Sequence, residues 1–283
     1  AHTNLDFTKH GVSYTLAKRL ELKKIKFLKN LTQNHFKLAV FVPASQIDKV
    51  AEAIHQSGGG IIGEYSNCSF RTNGTGTFKG SNESNPTFGN KGVIESVEEI
   101  KLEILVDKVK LNDVIFSMRK AHPYEEVAYD IYPVENDNVN YGIGAIGDLN
   151  DSMDTKDFLS FISSKLKTSG LRYTKSKKNK IKKVAVCGGS CGELLDEAIK
   201  QGAEAFITAD LKYHTFQDAE GKILLVDAGH YETEVPVLDE IKSRLENLLI
   251  VRKDSHREDK KIKILKFKGS TNPIVFYNKS GAN

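Results

Sequence analysis

The run Leu38-Ala39-Val40-Phe41-Val42-Pro43-Ala44-Ser45-Gln46-Ile47-Asp48-Lys49-Val50-Ala51-Glu52-Ala53-Ile54 sets a pattern that the chain uses twice. Its first five residues form a short apolar strand that stops at Pro43. Ser45 suits the cap of a following helix. Ile47, Val50, Ala51 and Ile54 then fall at i, i+3, i+4 and i+7, one face of a helix, and Gly58 to Gly60 end it. Further on, Ile100, Leu102, Ile104 and Val106 alternate as in a half-buried strand. Leu111, Val114, Ile115 and Met118 repeat the helix spacing. With strands expected near Ile61 to Tyr65 and Val127 to Tyr132, the order is β-α-β-β-α-β, the ferredoxin-like split motif. This predicts an inserted domain over residues 38–135. Its segment Cys68 to Val93 is rich in Gly, Ser, Asn and Thr and is expected to be a mobile hairpin. The glycines of Thr72 to Thr77 fit no phosphate-loop template.

Outside this insert the reading is α/β. Val12, Leu16 and Leu20 share a helix face, and Leu22 to Phe36 reads as a basic connector, so residues 1–37 close one lobe. Residues 136–283 alternate strand and helix. Phe158, Leu159, Ile162 and Leu166 line a helix, and Val184 to Val186 is a strand that turns at Gly188-Gly189. Leu194, Leu195, Ala198 and Ile199 line the next helix, and Ala205 to Ile207 and Ile223 to Val226 are strands. Val237, Leu238, Ile241, Leu245 and Leu248 line a long final helix. Such alternation implies a mainly parallel sheet with ligand sites at its strand ends.

Composition supports this architecture. The chain has 283 residues, 41 Lys+Arg against 37 Asp+Glu, 39% hydrophobic and 28% charged residues. That balance suits two soluble domains and excludes a collagen-like chain, a disordered acidic tail and a disulfide-stapled miniprotein. No apolar run approaches the ~20 residues of a membrane span. Three cysteines in this length point to free thiols in a reducing, cytoplasmic setting. A net charge of +4 does not by itself indicate nucleic acid. The basic stretch Arg172 to Lys183 reads as a solvated loop and lacks an aromatic platform. The chain starts at Ala1 with no basic flank and apolar core of a signal peptide.

Polar clusters follow the expected strands. They are His2 with Asp6; Thr208, Asp210 and His214; and His230 with Glu234. In Asp227-Ala228-Gly229-His230-Tyr231-Glu232-Thr233-Glu234, Gly229 permits a sharp turn, and one helical turn puts His230 and Glu234 on the same side. A histidine with a carboxylate suits Zn, Mn, Fe or Co. Spacing alone favours a capped helix start with a surface histidine. Asp210 reads equally as a helix cap, and His214 as a core or surface histidine. Cys187 and Cys191, separated by three residues in a Gly-rich turn, form no zinc pattern and read as inert reduced thiols. His122-Pro123-Tyr124-Glu125-Glu126 is explained by turn chemistry and solvation, with a cation or subunit contact as the alternative.

The segments Ala1-His2-Thr3-Asn4-Leu5-Asp6, Thr208-Ala209-Asp210-Leu211-Lys212-Tyr213-His214 and Gly229-His230-Tyr231-Glu232-Thr233-Glu234 resemble the GTP cyclohydrolase I type 2 homologue family. These are the Nif-three-like, dinuclear metal-centre hexameric proteins. Thr271 to Tyr277 looks like the family's last strand. Ala121 to Asp130 is similar to the PII- or CutA-like insert of its longer bacterial members. The resemblance implies two α/β lobes whose facing strand ends hold two adjacent divalent cations. Asp6, His230 and Glu234 fall on ligand positions, and His2 and His214 are candidates for orienting ligands or moving protons. It implies a hydrolase of GTP cyclohydrolase type, or more broadly one for a nucleotide-like or phosphorylated substrate. A non-catalytic homohexameric ring, acting as scaffold or sensor around a structural metal centre, is the alternative. Two further family ligands, adjacent histidines in a His-His-Pro-like motif, would lie upstream of Ala1. The first lobe is therefore expected to be incomplete here, as in a fragment. Cys191 stands where the family would lead one to expect a small residue such as Gly.

Overall fold

The computed structural model describes residues 3–32, 34–176, 179–251 and 262–276. In chain order its elements are α1 (Thr3–Asp6), α2 (Val12–Arg19), β1 (Lys23–Leu31), β2 (His35–Pro43), α3 (Ile47–Gln56), β3 (Phe70–Lys79), β4 (Ile94–Asp107), α4 (Leu111–Ala121) and β5 (Tyr129–Val134). There follow β6 (Asn138–Asp154), α5 (Thr155–Leu166), β7 (Arg172–Tyr173), β8 (Lys180–Ser190), α6 (Leu195–Lys200), β9 (Ala205–Ala209), α7 (Tyr213–Ala219), β10 (Leu224–Asp227), α8 (His230–Glu234) and α9 (Val237–Val251). The chain divides into two compact units, one of Ala1–Asn30 with Asn140–Asn283, the other Leu31–Val139.

The first unit is built on a six-stranded sheet in the order β1-β6-β8-β9-β10-β7. Strands β8, β9 and β10 are parallel, with Val184 opposite Ala205 and Ala205 opposite Leu224. Alternate residues of β8 enter different cores. Val184 and Val186 pack on the side of Leu16, Leu20, Phe158 and Ile162; Ala185 and Cys187 pack on the side of Leu195, Ala198 and Phe206. Both faces are thus covered, which is why these strands read as unbroken apolar runs. Truncating the fully buried Phe206 to Ala is expected to cost about 3–5 kcal/mol. The expectation of a mainly parallel sheet needs correction, because β6–β8 and β10–β7 are antiparallel. The parallel part is confined to the three central strands, and an antiparallel edge on such a sheet is common.

The basic connector expected over Leu22 to Phe36 is also corrected. Lys23–Leu31 is the edge strand β1, with Phe27 and Leu28 buried and its lysines outward. Charged side chains on an edge discourage pairing with another chain. The closing segment expected as a last strand has no strand among residues 271–276, and Tyr277 lies outside the described residues.

The second unit has the order β-α-β-β-α-β and one antiparallel sheet, β3-β4-β2-β5. Leu38 pairs with Ile104 and Val40 with Leu102. These side chains pack with Val50 and Ile54 of α3 and Val114 and Met118 of α4. The strand expected at Ile61 to Tyr65 is only an isolated bridge between Ile62 and Tyr65. The strand that fills this place in the order is β3, inside the segment expected to be a mobile hairpin. It pairs continuously with β4 from Phe70–Glu103 to Lys79–Ile94.

Candidate functional site

The parallel strands β8, β9 and β10 end on the same edge, where an α/β sheet carries its ligand groups. Each strand end contributes one part of a cluster. Beyond β9, Asp210 adopts the left-handed conformation with φ +53°. Such a backbone is uncommon for a residue other than glycine and persists where its surroundings enforce it. Beyond β10, Gly229, at φ +90°, makes the turn into α8. The helix then presents His230 and Glu234 one turn apart.

The imidazole lies between two carboxylates. His230 Nδ1 is 2.5 Å from Asp210 Oδ2, and His230 Nε2 is 3.2 Å from Glu234 Oε1. The hydrogen bond to Asp210, with the negative charge of Glu234, holds the imidazole pKa above the usual histidine value. All three side chains are open to solvent, between 41% and 48% exposed, so an external ligand can reach them. They border a cleft of about 510 Å³ whose lining also includes Asn272, Pro273 and Ile274.

Beneath them is the glycine turn of β8. A Cβ on Gly189 would stand 2.6 Å from Glu234 Oε1 and 3.3 Å from His230 Nε2, and Gly189 has φ +71°. Only glycine fits both the conformation and the space. Thr233, fully buried, fixes α8 over this turn. It accepts the Gly189 N–H at 3.0 Å, and its hydroxyl donates within α8 to Gly229 O at 2.9 Å. Thr208 on β9, also fully buried, donates to Gly189 O at 2.8 Å and accepts the Cys191 N–H at 3.2 Å.

Asp227 is the residue that sequence reasoning left without a role. Its buried carboxylate accepts the Leu211 N–H at 3.1 Å and the Gly229 N–H at 3.2 Å, and it pairs with Arg172. One side chain therefore ties together the two loops that carry Asp210 and His230. Its signal in the sequence is an acid as the last residue of an apolar strand.

The structure brings His230 and Glu234 together and adds Asp210 from the second polar cluster, for which a helix cap is the other expectation. Asp6 ends α1. It does not border the cleft lined by Asp210, His230 and Glu234. His214 stands apart on the exposed side of α7, with Nδ1 3.1 Å from Gln217 Oε1, and does not border the cleft. His2 lies outside the described residues. Among the described residues no group of three or more His, Cys, Asp or Glu is arranged to hold a metal ion. The reading of Cys187 and Cys191 as free thiols is corrected, because the two are joined by a disulfide.

The turn His122 to Glu126 is held by hydrogen bonds within its own unit. His122 is buried, with Nε2 3.0 Å from Phe41 O, and Nδ1 accepts the Tyr124 N–H. Burial holds its pKa below the usual histidine value. Tyr124 donates to Glu99 at 2.8 Å; burial first, and then that hydrogen bond, raise the phenol pKa. Of the basic stretch at 172–183, Arg172 is paired with Asp227 and Lys183 donates to Gln201 O, while Lys177 and Lys178 lie outside the described residues. No helix of the described residues is long and apolar enough to cross a membrane.

Comparison with known proteins places this arrangement. The chain is 41% identical over 252 residues to the GTP cyclohydrolase 1 type 2 homolog of Halalkalibacterium halodurans, covering 88% of this chain and 67% of that protein. It is 41% identical over 237 residues to the protein of the same name from Bacillus subtilis, covering 83% and 64%. It thus spans about two thirds of the length of these relatives. The crystal structure of a Bacillus cereus protein related to NIF3 superposes with a TM-score of 0.80 at 33% identity, over 98% of this chain and 72% of that one. With its residues 1–273 matching the model of that family, the chain belongs to the Duf34/NIF3 (NGG1p interacting factor 3) family.

Proposed function

We propose that the His230–Glu234 cluster binds divalent metal and serves a metal-dependent hydrolase acting on a nucleotide-like or phosphorylated substrate. The observation that carries this reading is the convergence of His230 Nε2 and Glu234 Oε1, 3.2 Å apart, over a glycine whose Cβ would fill the space between them. The donor chemistry fits a borderline cation such as Zn, Mn, Fe or Co. His230 and Glu234 would hold it, with Asp6 as the further ligand that the family resemblance implies. Divalent metal held there would activate water near neutral pH and offset charge on a leaving oxygen.

The remaining roles belong to the chain's own groups. Asp210 fixes the ring of His230 through Nδ1, which leaves Nε2 as the outward nitrogen. Carboxylate–histidine pairs of this kind orient metal-binding imidazoles and raise their basicity. Asp227 and Thr233 keep the two loops in register. Asn272 donates to Glu232 at 2.9 Å and so ties the segment that lines the cleft to α8. The names of the relatives favour GTP as the first substrate to assay.

The test is elemental analysis of this chain and of an upstream-extended form, each with and without His230→Ala. Two metals per extended chain, lost on substitution and depleted in the shorter form, are expected. No metal in any form would overturn the reading. Release of formate from GTP, abolished by Glu234→Ala, would identify the reaction.

A second reading has its own support. Leu238, Leu245 and Leu248 are exposed on α9 at helical spacing, an apolar stripe suited to self-association. On that view the metal centre stabilises a homohexameric ring that acts as a scaffold or sensor. Metal-dependent assembly without turnover would favour it.

A further inference from the structure

We propose that Cys187 and Cys191 are a reversible thiol–disulfide site that sets the position of the Gly188-Gly189 floor beneath His230 and Glu234. Its effect on metal affinity rests on the metal-binding reading given above; its effect on the loop does not.

The bond encloses Gly188, Gly189 and Ser190, with the two Cα atoms 6.0 Å apart. Closing so short a ring removes little entropy from the unfolded chain, so its main effect falls on the loop itself. That loop has little freedom otherwise. Gly189 is held from both sides, its N–H by Thr233 and its carbonyl by Thr208, and Thr208 also takes the N–H of Cys191. Cys187 is 3% exposed and Cys191 9%, and both sulfurs belong to the core under the sheet. Two unbonded sulfurs cannot stay at bonding distance. In a packed interior their separation must be taken up by neighbouring groups, and the segment between them is the Gly188-Gly189 turn. Gly189 lies under the two site residues, where an added Cβ would stand 2.6 Å from Glu234 Oε1 and 3.3 Å from His230 Nε2. A shift of the turn therefore reaches Glu234 and His230 directly.

The chemistry balances with a low-molecular-weight disulfide such as glutathione disulfide as oxidant. The thiolate of Cys191, the more exposed of the two, attacks one sulfur of that disulfide and releases one glutathione thiol. The thiolate of Cys187 then attacks the mixed disulfide and releases the second. Two protons leave the protein thiols and the glutathione sulfurs are reduced. Excess dithiol reverses both exchanges.

The test uses the full chain equilibrated in glutathione buffers of graded ratio. Alkylation and mass spectrometry should show one two-electron transition linking Cys187 to Cys191, with Cys68 remaining alkylated. In the same samples the amide signals of Gly188 and Gly189 and the ring signals of His230 should move in step with the linked fraction. Mn²⁺ is the metal probe, because thiolates bind it poorly. Its affinity should fall about tenfold on reduction, the lower end of what loss of a supporting contact costs a metal site. Cys191→Gly should bind Mn²⁺ without any dependence on the buffer ratio. A pair that stays reduced in excess glutathione disulfide, or a bond that opens without moving the Gly189 and His230 signals, overturns the proposal. If the signals move but Mn²⁺ binds neither form, the metal reading fails and the thiol–disulfide site stands. If Mn²⁺ binds both forms equally and nothing moves, the metal reading stands and the thiol–disulfide proposal falls.

Discussion

Asp210 Oδ2 approaches His230 Nδ1 to 2.5 Å, although the two residues follow different strands. The contact exists because β9 and β10 are parallel neighbours whose ends coincide. It should govern the protonation of His230. In the metal-free protein the imidazole should titrate above about 6.5, and Asp210→Asn should bring it back toward that value. The folded pKa is raised, so the stabilisation from this pair is complete below about pH 6.5 and is lost as pH climbs through the folded value. Following the His230 ring signals by NMR across pH checks this; identical titrations in both proteins would refute it.

On the metal-binding proposal, Asp210 separates orientation from ligation. Asp210→Asn should keep the metal stoichiometry while weakening affinity by about 10–100-fold. His230→Ala should lose the metal altogether. Equilibrium dialysis at several metal concentrations distinguishes the two patterns, and equal loss in both variants would make Asp210 a ligand.

Gly189→Ala places a methyl where Glu234 and His230 converge. The left-handed backbone alone should cost about 1–2 kcal/mol, measurable by urea denaturation. If His230 and Glu234 hold a cation as proposed, its binding should be lost in protein that remains folded. Unchanged affinity would mean that the ion does not sit over this turn.

Thr208→Val keeps the shape of the side chain and removes its hydroxyl. It leaves the Cys191 N–H and the Gly189 carbonyl without that partner, at a cost of about 1–3 kcal/mol. Faster hydrogen exchange at Cys191 is the specific signature. A denaturation midpoint equal to that of the unaltered chain would show that these groups find other partners.

His122 should make its own unit acid-sensitive. Burial depresses its folded pKa, so the neutral form is stabilising. Stability should be full above about pH 6.5 and fall as acid drives the unfolded chain to bind a proton that the folded chain resists. Hydrogen exchange of β2 and β4 amides from pH 7 to pH 5, corrected for intrinsic rates, checks the sign. Protection that rises toward pH 5 would contradict it.

Legibility in the sequence followed burial. Ile47, Val50, Ala51 and Ile54 announced α3 because one face of that helix meets the core, and the apolar runs at Ala205 and Ile223 announced β9 and β10 because both faces of the sheet are covered. Strand β3 was missed because Phe70–Lys79 is largely exposed on both sides and carries no alternation. Strand β1 was missed because its edge lysines mimic a connector. At the site, His230 and Glu234 were legible because four residues of helix connect them. Asp210 was singled out but its pairing with His230 was not, and Asp227 was not read at all, because their partners lie across strand pairings that local spacing does not encode. The Cys187–Cys191 bond was missed for a different reason: the pair matches no metal-site spacing, and composition pointed to reduced thiols.

Strands β1 and β6 are neighbours in the first sheet, yet residues 32–137, nearly all of the second unit, intervene between them. Hydrogen-bonded strands lie about 4.8 Å apart, so the polypeptide leaves and re-enters the sheet almost at one point. Topologically the second unit occupies the place of a hairpin turn. Closing so long an unstructured loop is entropically costly, and a unit that has already folded brings its own ends together. The expected order of assembly is therefore inside out, with pairing of β1 and β6 waiting on the module that the chain makes between them.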